Sequence, residues 1–194
     1  FSQARERLIV NCGGGWTLGD WRQALAATAA HSTVTVANTN AAEILSMGGI
    51  GRRPRQVMAR SYELDGVHSI EALHDGYYDS CALVHERVLS LTGDGGVLAG
   101  RDLLRGDGVF PYALRFHLHP KVQCCLVKGG QAALLRTASG QGWQLQADGQ
   151  VLALESSIYC GDGTPRRAQQ IVIYGRSGDN GGVAWKLTRL SGGG

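Results

Sequence analysis

The sequence predicts an all-β protein, an antiparallel β-sandwich, and three observations carry that prediction. Runs of β-branched and aromatic residues recur at intervals of about 8–12 residues. Gly- and Asp-rich turns separate them. No stretch sustains the 3.6-residue apolar period of a long helix, and no strand–helix–strand alternation suggests a parallel sheet.

Taken in order, Arg7-Leu8-Ile9-Val10 reads as a strand. The chain opens at Phe1 inside this strand, so an upstream portion is expected elsewhere. Asp20–Ala30 is the one helical segment, with Asp20 as cap and Trp21, Leu25 and an Ala-rich run behind it. Thr33-Val34-Thr35-Val36 is β-branched and returns the chain to strand. Residues 81–91 and 97–103 flank Gly93-Asp94-Gly95-Gly96 as a hairpin. Trp143–Gln146, Asp148-Gly149 and Val151–Leu154 read as a second hairpin. Gln170–Tyr174, a Gly-rich loop at 175–182, and alternating Val183, Trp185 and Leu187 repeat that pattern. Gly192-Gly193-Gly194 reads as a frayed end. No fixed repeat and no long linker divides the chain, so residues 1–194 are expected to form one domain.

Composition narrows the function classes. No run approaches the roughly 18 apolar residues of a membrane span, and residues 1–30 lack the order of a signal peptide. The net charge is a mild +3, yet 16 of the 19 basic residues are Arg. Guanidinium forks suit carboxylate or sulfate, although a GC-rich genome produces the same bias. The Arg residues are scattered rather than interleaved with aromatics, which argues against nucleic acid. Five cysteines (Cys12, Cys81, Cys124, Cys125 and Cys160) form no CxxC and no even framework, so mostly buried free thiols are expected. Cys124 and Cys125, being adjacent, should point to opposite faces of a strand.

Several groups could carry chemistry. Gly13-Gly14-Gly15 follows a strand but lacks the Lys-Ser/Thr of a phosphate loop. Gly48-Gly49-Ile50-Gly51 leads into Arg52, Arg53 and Arg55, either an anion-binding loop or a solvated one. In Arg115-Phe116-His117-Leu118-His119-Pro120, strand alternation puts His117 and His119 on one face, ~6.6 Å apart at the backbone. Such a pair could bind zinc or contact an acidic sugar, or be an ordinary polar face. His31 lies where the helix gives way to a strand, where a side chain projects towards a cleft. His74-Asp75-Gly76-Tyr77-Tyr78 reads as a turn rich in titratable groups. His85 and Arg87 share a strand face. No Gly-x-Ser-x-Gly elbow is present, and the carboxylates do not pair as in a glycosidase. Trp16, Trp21, Trp143 and Trp185 are possible sugar platforms, though their apolar contexts suit a core better.

In order along the chain, several segments resemble the C-terminal region of heparinase II/III-like polysaccharide lyases. They are Trp21–Leu25 running into Ala26–Thr33, His74–Tyr77, Arg115–Pro120, Gly142-Trp143 and Pro165–Val172. The resemblance extends from about Leu8 to Trp185. It implies a β-sandwich packed on an N-terminal α/α toroid that is absent from this chain, with the substrate cleft between them. It further implies β-elimination at a uronic acid of a heparin-, heparan- or alginate-like polymer, in the periplasm or cell envelope of a bacterium. Such chemistry neutralises a carboxylate, removes the C5 proton and protonates O4. By the resemblance a tyrosine acid/base lies on the helical domain and the β domain supplies a histidine, for which His31 is the candidate. His74, Tyr77 and Arg115 are the candidates for substrate contact. Some relatives hold a structural zinc through His and Asp, with His117 and His119 the favoured candidates here and His74 a further one. Two other readings remain open: a non-catalytic carbohydrate-binding sandwich and a structural or assembly module.

Overall fold

The computed structural model describes residues 1–14, 21–46, 49–178 and 182–191. The structure assigns 56% of the described residues to strands and 9% to helix, well below the roughly one-third helix of ordinary globular proteins. The strands begin with a short hairpin of β1 (Ser2–Gln3) and β2 (Glu6–Arg7), followed by β3 (Ile9–Val10). Helix α1 (Trp21–Ala26) and a 3₁₀ turn at Thr28–Ala30 lead to β4 (Val34–Val36). The expected cap Asp20 lies outside the described residues, as do Gly15, Trp16, Gly48, residues 179–181 of the Gly-rich loop and the three terminal glycines.

Strands β5 (Val57–Leu64) and β6 (Val67–Tyr77) form a hairpin around Asp65 and Gly66, both with positive φ. A single helical turn, α2 (Tyr78–Cys81), ends on left-handed Ala82. Then come β7 (Leu83–Thr92), β8 (Val97–Arg105), β9 (Pro111–Leu118) and β10 (Gln123–Val127). The series closes with β11 (Ala132–Arg136), β12 (Gly142–Ala147), β13 (Leu152–Tyr159), β14 (Arg166–Arg176) and β15 (Gly182–Arg189).

Two antiparallel sheets face each other. The larger runs β10-β11-β12-β15-β8-β7-β6-β5 and the smaller β13-β14-β9-β3, with β4 also on β9. The β7–β8 hairpin forms as expected: the Asp94 carboxylate accepts from Thr92 Oγ1 and the Gly96 N–H, closing the turn. Two expected hairpins do not form. Strand β12 pairs with β11 and β15, whereas β13 pairs with β14 in the opposite sheet. Asp148-Gly149 is therefore a corner between layers. Likewise β14 belongs to the small sheet and β15 to the large one. Turn residues fix a local reversal of the chain, but pairing is decided by which apolar face each strand must bury. Trp143, Leu145 and Leu187 are fully buried from the large sheet, and Leu152, Ile171 and Ile173 from the small one.

The core lies between the layers. Phe116 of β9 meets Trp185 of β15 edge-to-face at 4.8 Å between ring centroids. The Tyr77 hydroxyl donates to the Val34 carbonyl at 2.8 Å, tying β6 to β4. At the far edge β5 is exposed along its whole length. The segment between β3 and β4 leaves and rejoins the same edge of β9, and it carries α1 and His31.

Candidate functional site

The site grows from that edge insertion. Ser32 is its anchor, and every polar atom of the residue is engaged. Its N–H donates to Asn11 Oδ1, its hydroxyl donates to the Val10 carbonyl and accepts from the His117 N–H, and its carbonyl accepts from Arg87 Nη1 at 2.7 Å. The His31 N–H closes the preceding turn on Thr28, and the Thr33 carbonyl accepts from the Arg115 N–H. His31 is thus carried on a backbone pinned on both sides, at the edge of the sheet as its position in the sequence implied.

Its imidazole is half-buried, and burial holds its pKa below the ordinary histidine value. At neutral pH the ring is uncharged, so one nitrogen is a proton acceptor. His117 is also held below the ordinary histidine value, by burial first and with smaller contributions from the charges of Arg115 and His31.

Behind Ser32 lies a buried polar chain that the sequence did not announce in full. Asp102, 1% exposed, accepts from His85 Nε2 at 2.8 Å, Arg87 Nε at 2.7 Å and Trp185 Nε1 at 2.9 Å. Burial alone would raise its pKa, but the His85 hydrogen bond and the Arg87 charge outweigh it and keep the carboxylate ionised. His85 Nδ1 lies 3.2 Å from His74 Nε2, and His74 Nδ1 accepts from the Gly76 N–H. Donor accounting then fixes both tautomers. Asp102 accepts the hydrogen bond of His85 Nε2–H, leaving His85 Nδ1 to accept from His74 Nε2–H. Burial and the neighbouring His85 push His74 down to about 4, so it too is uncharged near neutrality. His85 and Arg87 were expected to share a face and do so. Asp102 was missed, although a lone carboxylate inside the apolar strand Val97–Arg105 is itself a sign of a buried partner. Gly100 makes room for this arrangement: a Cβ there would lie 2.1 Å from the Trp185 ring.

Other candidates fall differently. Residues 74–77 are not a turn but the bulged end of β6. Tyr77 is fully buried with its hydroxyl on Val34, so it has no exposed surface to offer a substrate. Arg115 is half-buried and donates to Thr35 Oγ1 and, at 3.4 Å, to the Ala113 carbonyl. Phe116 and Leu118 face the core as expected, but the opposite face of β9 is covered as well. There His117 bonds through Nε2 to the Ala29 carbonyl at 2.9 Å and through Nδ1 to Ser157 Oγ at 2.8 Å, beside Cys12 Sγ. His119 instead packs edge-on against Tyr159. The two rings serve different neighbourhoods and do not converge. Among the described residues no group of three or more His, Cys, Asp or Glu is placed to hold a metal, so the residues as arranged do not fit a zinc ion. The Arg52 loop is held by Glu43 and by the Gly76 carbonyl. Of the described tryptophans, Trp143 and Trp185 are core and Trp21 is 41% exposed.

With this geometry in hand, the sequence profile described as Heparinase II/III-like, C-terminal, matches residues 1–186. The chain belongs to the heparinase II/III-like family. Among solved structures, the heparan sulfate lyase HepC from Pedobacter heparinus superposes with a TM-score of 0.70 at 15% identity, over 93% of this chain and 27% of that one. The heparinase III BT4657 gene product gives 0.68 at 15% identity, over 94% of this chain and 27% of that one. At such identity the superpositions establish the heparinase C-terminal β-sandwich fold. A curated relative from Caulobacter vibrioides, named FtsZ-localized protein C, is 30% identical over 214 residues, covering 97% of this chain and 36% of that protein. This heparinase II/III-like chain therefore spans about a third or less of the proteins it matches. No helix among its described residues is long and apolar enough to cross a membrane.

Proposed function

We propose that this chain is the β-sandwich portion of a polysaccharide lyase that cleaves a uronic-acid-containing polymer by β-elimination, with His31 as its contribution to the reacting centre. The observation that carries the reading is the neutral, half-buried imidazole of His31 on a backbone locked by Ser32. A proton acceptor carried on a backbone that is fixed before substrate arrives is what general acid–base catalysis asks of its scaffold. Arg115, half-buried on β9, supplies the positive charge for the uronate carboxylate in this reading. The chain Asp102–His85–His74 and Arg87 act as positioning groups, since Arg87 links Asp102 to the Ser32 carbonyl. The remaining catalytic groups, a tyrosine acid/base among them, belong to a helical domain of the same protein in this reading. No metal enters it.

The test is His31→Ala in the full-length protein. Turnover on a uronic-acid polymer is expected to fall by about 10²-fold or more, with a melting temperature close to wild type. A variant that melts earlier yet turns over normally per folded molecule would overturn the assignment and make His31 a structural residue.

A second reading is favoured by the Caulobacter relative, whose name gives localisation with FtsZ rather than an enzyme activity. In that reading the sandwich is an assembly module of a division-associated protein. The five free cysteines fit a compartment that keeps thiols reduced, whereas a lyase of the periplasm or envelope would work under oxidising conditions. Fractionation of tagged full-length protein separates the two: recovery with periplasmic or envelope markers supports the lyase, and recovery with cytosolic markers supports the module.

A further inference from the structure

Away from His31, the β1–β2 hairpin, the turn after β9, the turn after β11 and the β13–β14 loop enclose a cleft of about 420 Å³. That volume is within the roughly 300–1,000 Å³ of small-ligand sites. Its polar lining is strongly one-sided. Arg5, Arg7, Lys121 and Arg166 converge on it from three of the four segments, against two carboxylates, Glu6 and Asp162.

Both carboxylates are already engaged. Glu6 accepts from the Ser139 N–H at 2.9 Å and from its hydroxyl, and these bonds hold it below the usual carboxylate range. Asp162 pairs with Arg166 at 3.5 Å. Arg7 is oriented by donating to the Tyr159 hydroxyl at 2.8 Å. Among the described residues, the side chains of Arg5 and Lys121 have no hydrogen-bond or ion-pair partner. His119 forms part of the wall. Its Nδ1 accepts from the Lys121 N–H at 3.3 Å, so the neutral ring presents Nε2–H as a free donor. Burial, and then the charges of Arg7, Lys121 and Arg166, hold its pKa down while Asp162 opposes them, which places all of these groups around one ring.

Like charges gathered in one concavity repel each other unless something shared neutralises them, and the fold supplies two carboxylates, both already engaged, against four cations. We propose that this cleft is an oxyanion-binding subsite that takes a sulfate or carboxylate group of an acidic saccharide. The saccharide rests on the lyase reading above; the oxyanion chemistry does not. Forked guanidiniums, one ammonium and one imidazole N–H provide donors from several directions, as an anion with two or three equivalent oxygens requires. Arg5 and Lys121 are the residues that gain most on binding, because neither has a partner to give up.

The test is calorimetric titration of this chain with three probes: inorganic sulfate, glucuronate and a homogeneous sulfated disaccharide. Each is run against wild type, Arg5→Gln/Lys121→Gln, Arg166→Gln, and Arg101→Gln as an exposed control outside the cleft. Binding of sulfate or glucuronate that weakens at least about tenfold in the double variant, and not in the control, supports the subsite. The better of these two probes names the preferred anion. Tighter binding of the disaccharide than of sulfate, with the same dependence on Arg5 and Lys121, supports the saccharide. Failure of the disaccharide alone would count against the polysaccharide reading and leave the anion site standing. Equal binding by wild type and the double variant, or equal loss in Arg101→Gln, overturns the subsite. All four substituted residues are exposed, and unchanged melting temperatures confirm that folding is not what is measured.

Discussion

Replacing Asp102 by alanine removes the acceptor for three buried donors at once: His85 Nε2, Arg87 Nε and Trp185 Nε1. Breaking a buried ion pair from one side typically costs about 3–5 kcal/mol, because the remaining charge is stranded. Arg87 retains its bond to Ser32 and is 19% exposed, which points to the lower end of that range. The stranded His85 and Trp185 donors add to the loss, but not independently, since all three share one carboxylate. We expect a destabilisation of about 3 kcal/mol, a large part of the 5–15 kcal/mol that holds a typical domain folded. With a urea slope of about 2 kcal/mol/M the unfolding midpoint falls by about 1.5 M, followed by tryptophan fluorescence. The Arg87→Met/Asp102→Leu double variant should recover only part of this loss, because the Arg87 charge is no longer stranded while the His85 and Trp185 donors still lack an acceptor. A midpoint shift under about 0.3 M in Asp102→Ala, well short of that slope-based figure, would refute the view that this carboxylate organises the site.

Gly100→Ala should force the Trp185 ring off β8 and cost about 1–3 kcal/mol, seen as a lowered melting temperature and partly relieved by adding Trp185→Phe. His74 titrates at about 4 when folded against 6.5 as the ordinary value, so the unfolded chain binds the extra proton first as pH falls. Stability is therefore full above about pH 6.5 and declines towards pH 4, by about 1–2 kcal/mol after discounting for partial exposure. His74→Phe should flatten that limb in urea titrations at a series of pH values. This 194-residue chain alone should not generate unsaturated-uronate absorbance from heparin, heparan sulfate or alginate. Losing one wall of a cleft loses the positioning that elimination needs, and absorbance above a buffer control would contradict this.

What the sequence by itself determined was local. The period-two alternation in Arg115–His119 put Phe116 and Leu118 into the core, and the Gly93–Gly96 turn produced the β7–β8 hairpin. The single helical segment before β4 placed His31 at a sheet edge, and the shared face of His85 and Arg87 followed from strand geometry. The ordered set of segments from Trp21 to Val172 was enough to indicate the family. All of these but the last depend on residues within a few positions of one another.

The tertiary structure decided everything that depends on distant partners. Asp148-Gly149 turns the chain in either topology, and only the two apolar faces to be buried sent β12 and β13 to opposite sheets. Tyr77 looked accessible within a cluster of polar neighbours, but a bulge in β6 rotates it into the core against Val34. His117 and His119 share a face on paper. The α1 insertion then covers one of them and the β1–β2 hairpin leaves the other beside a basic cleft. Asp102 lies 15 to 83 positions from the groups it joins. Its role follows from the cost of burying a carboxylate, which only the three-dimensional arrangement of its donors offsets.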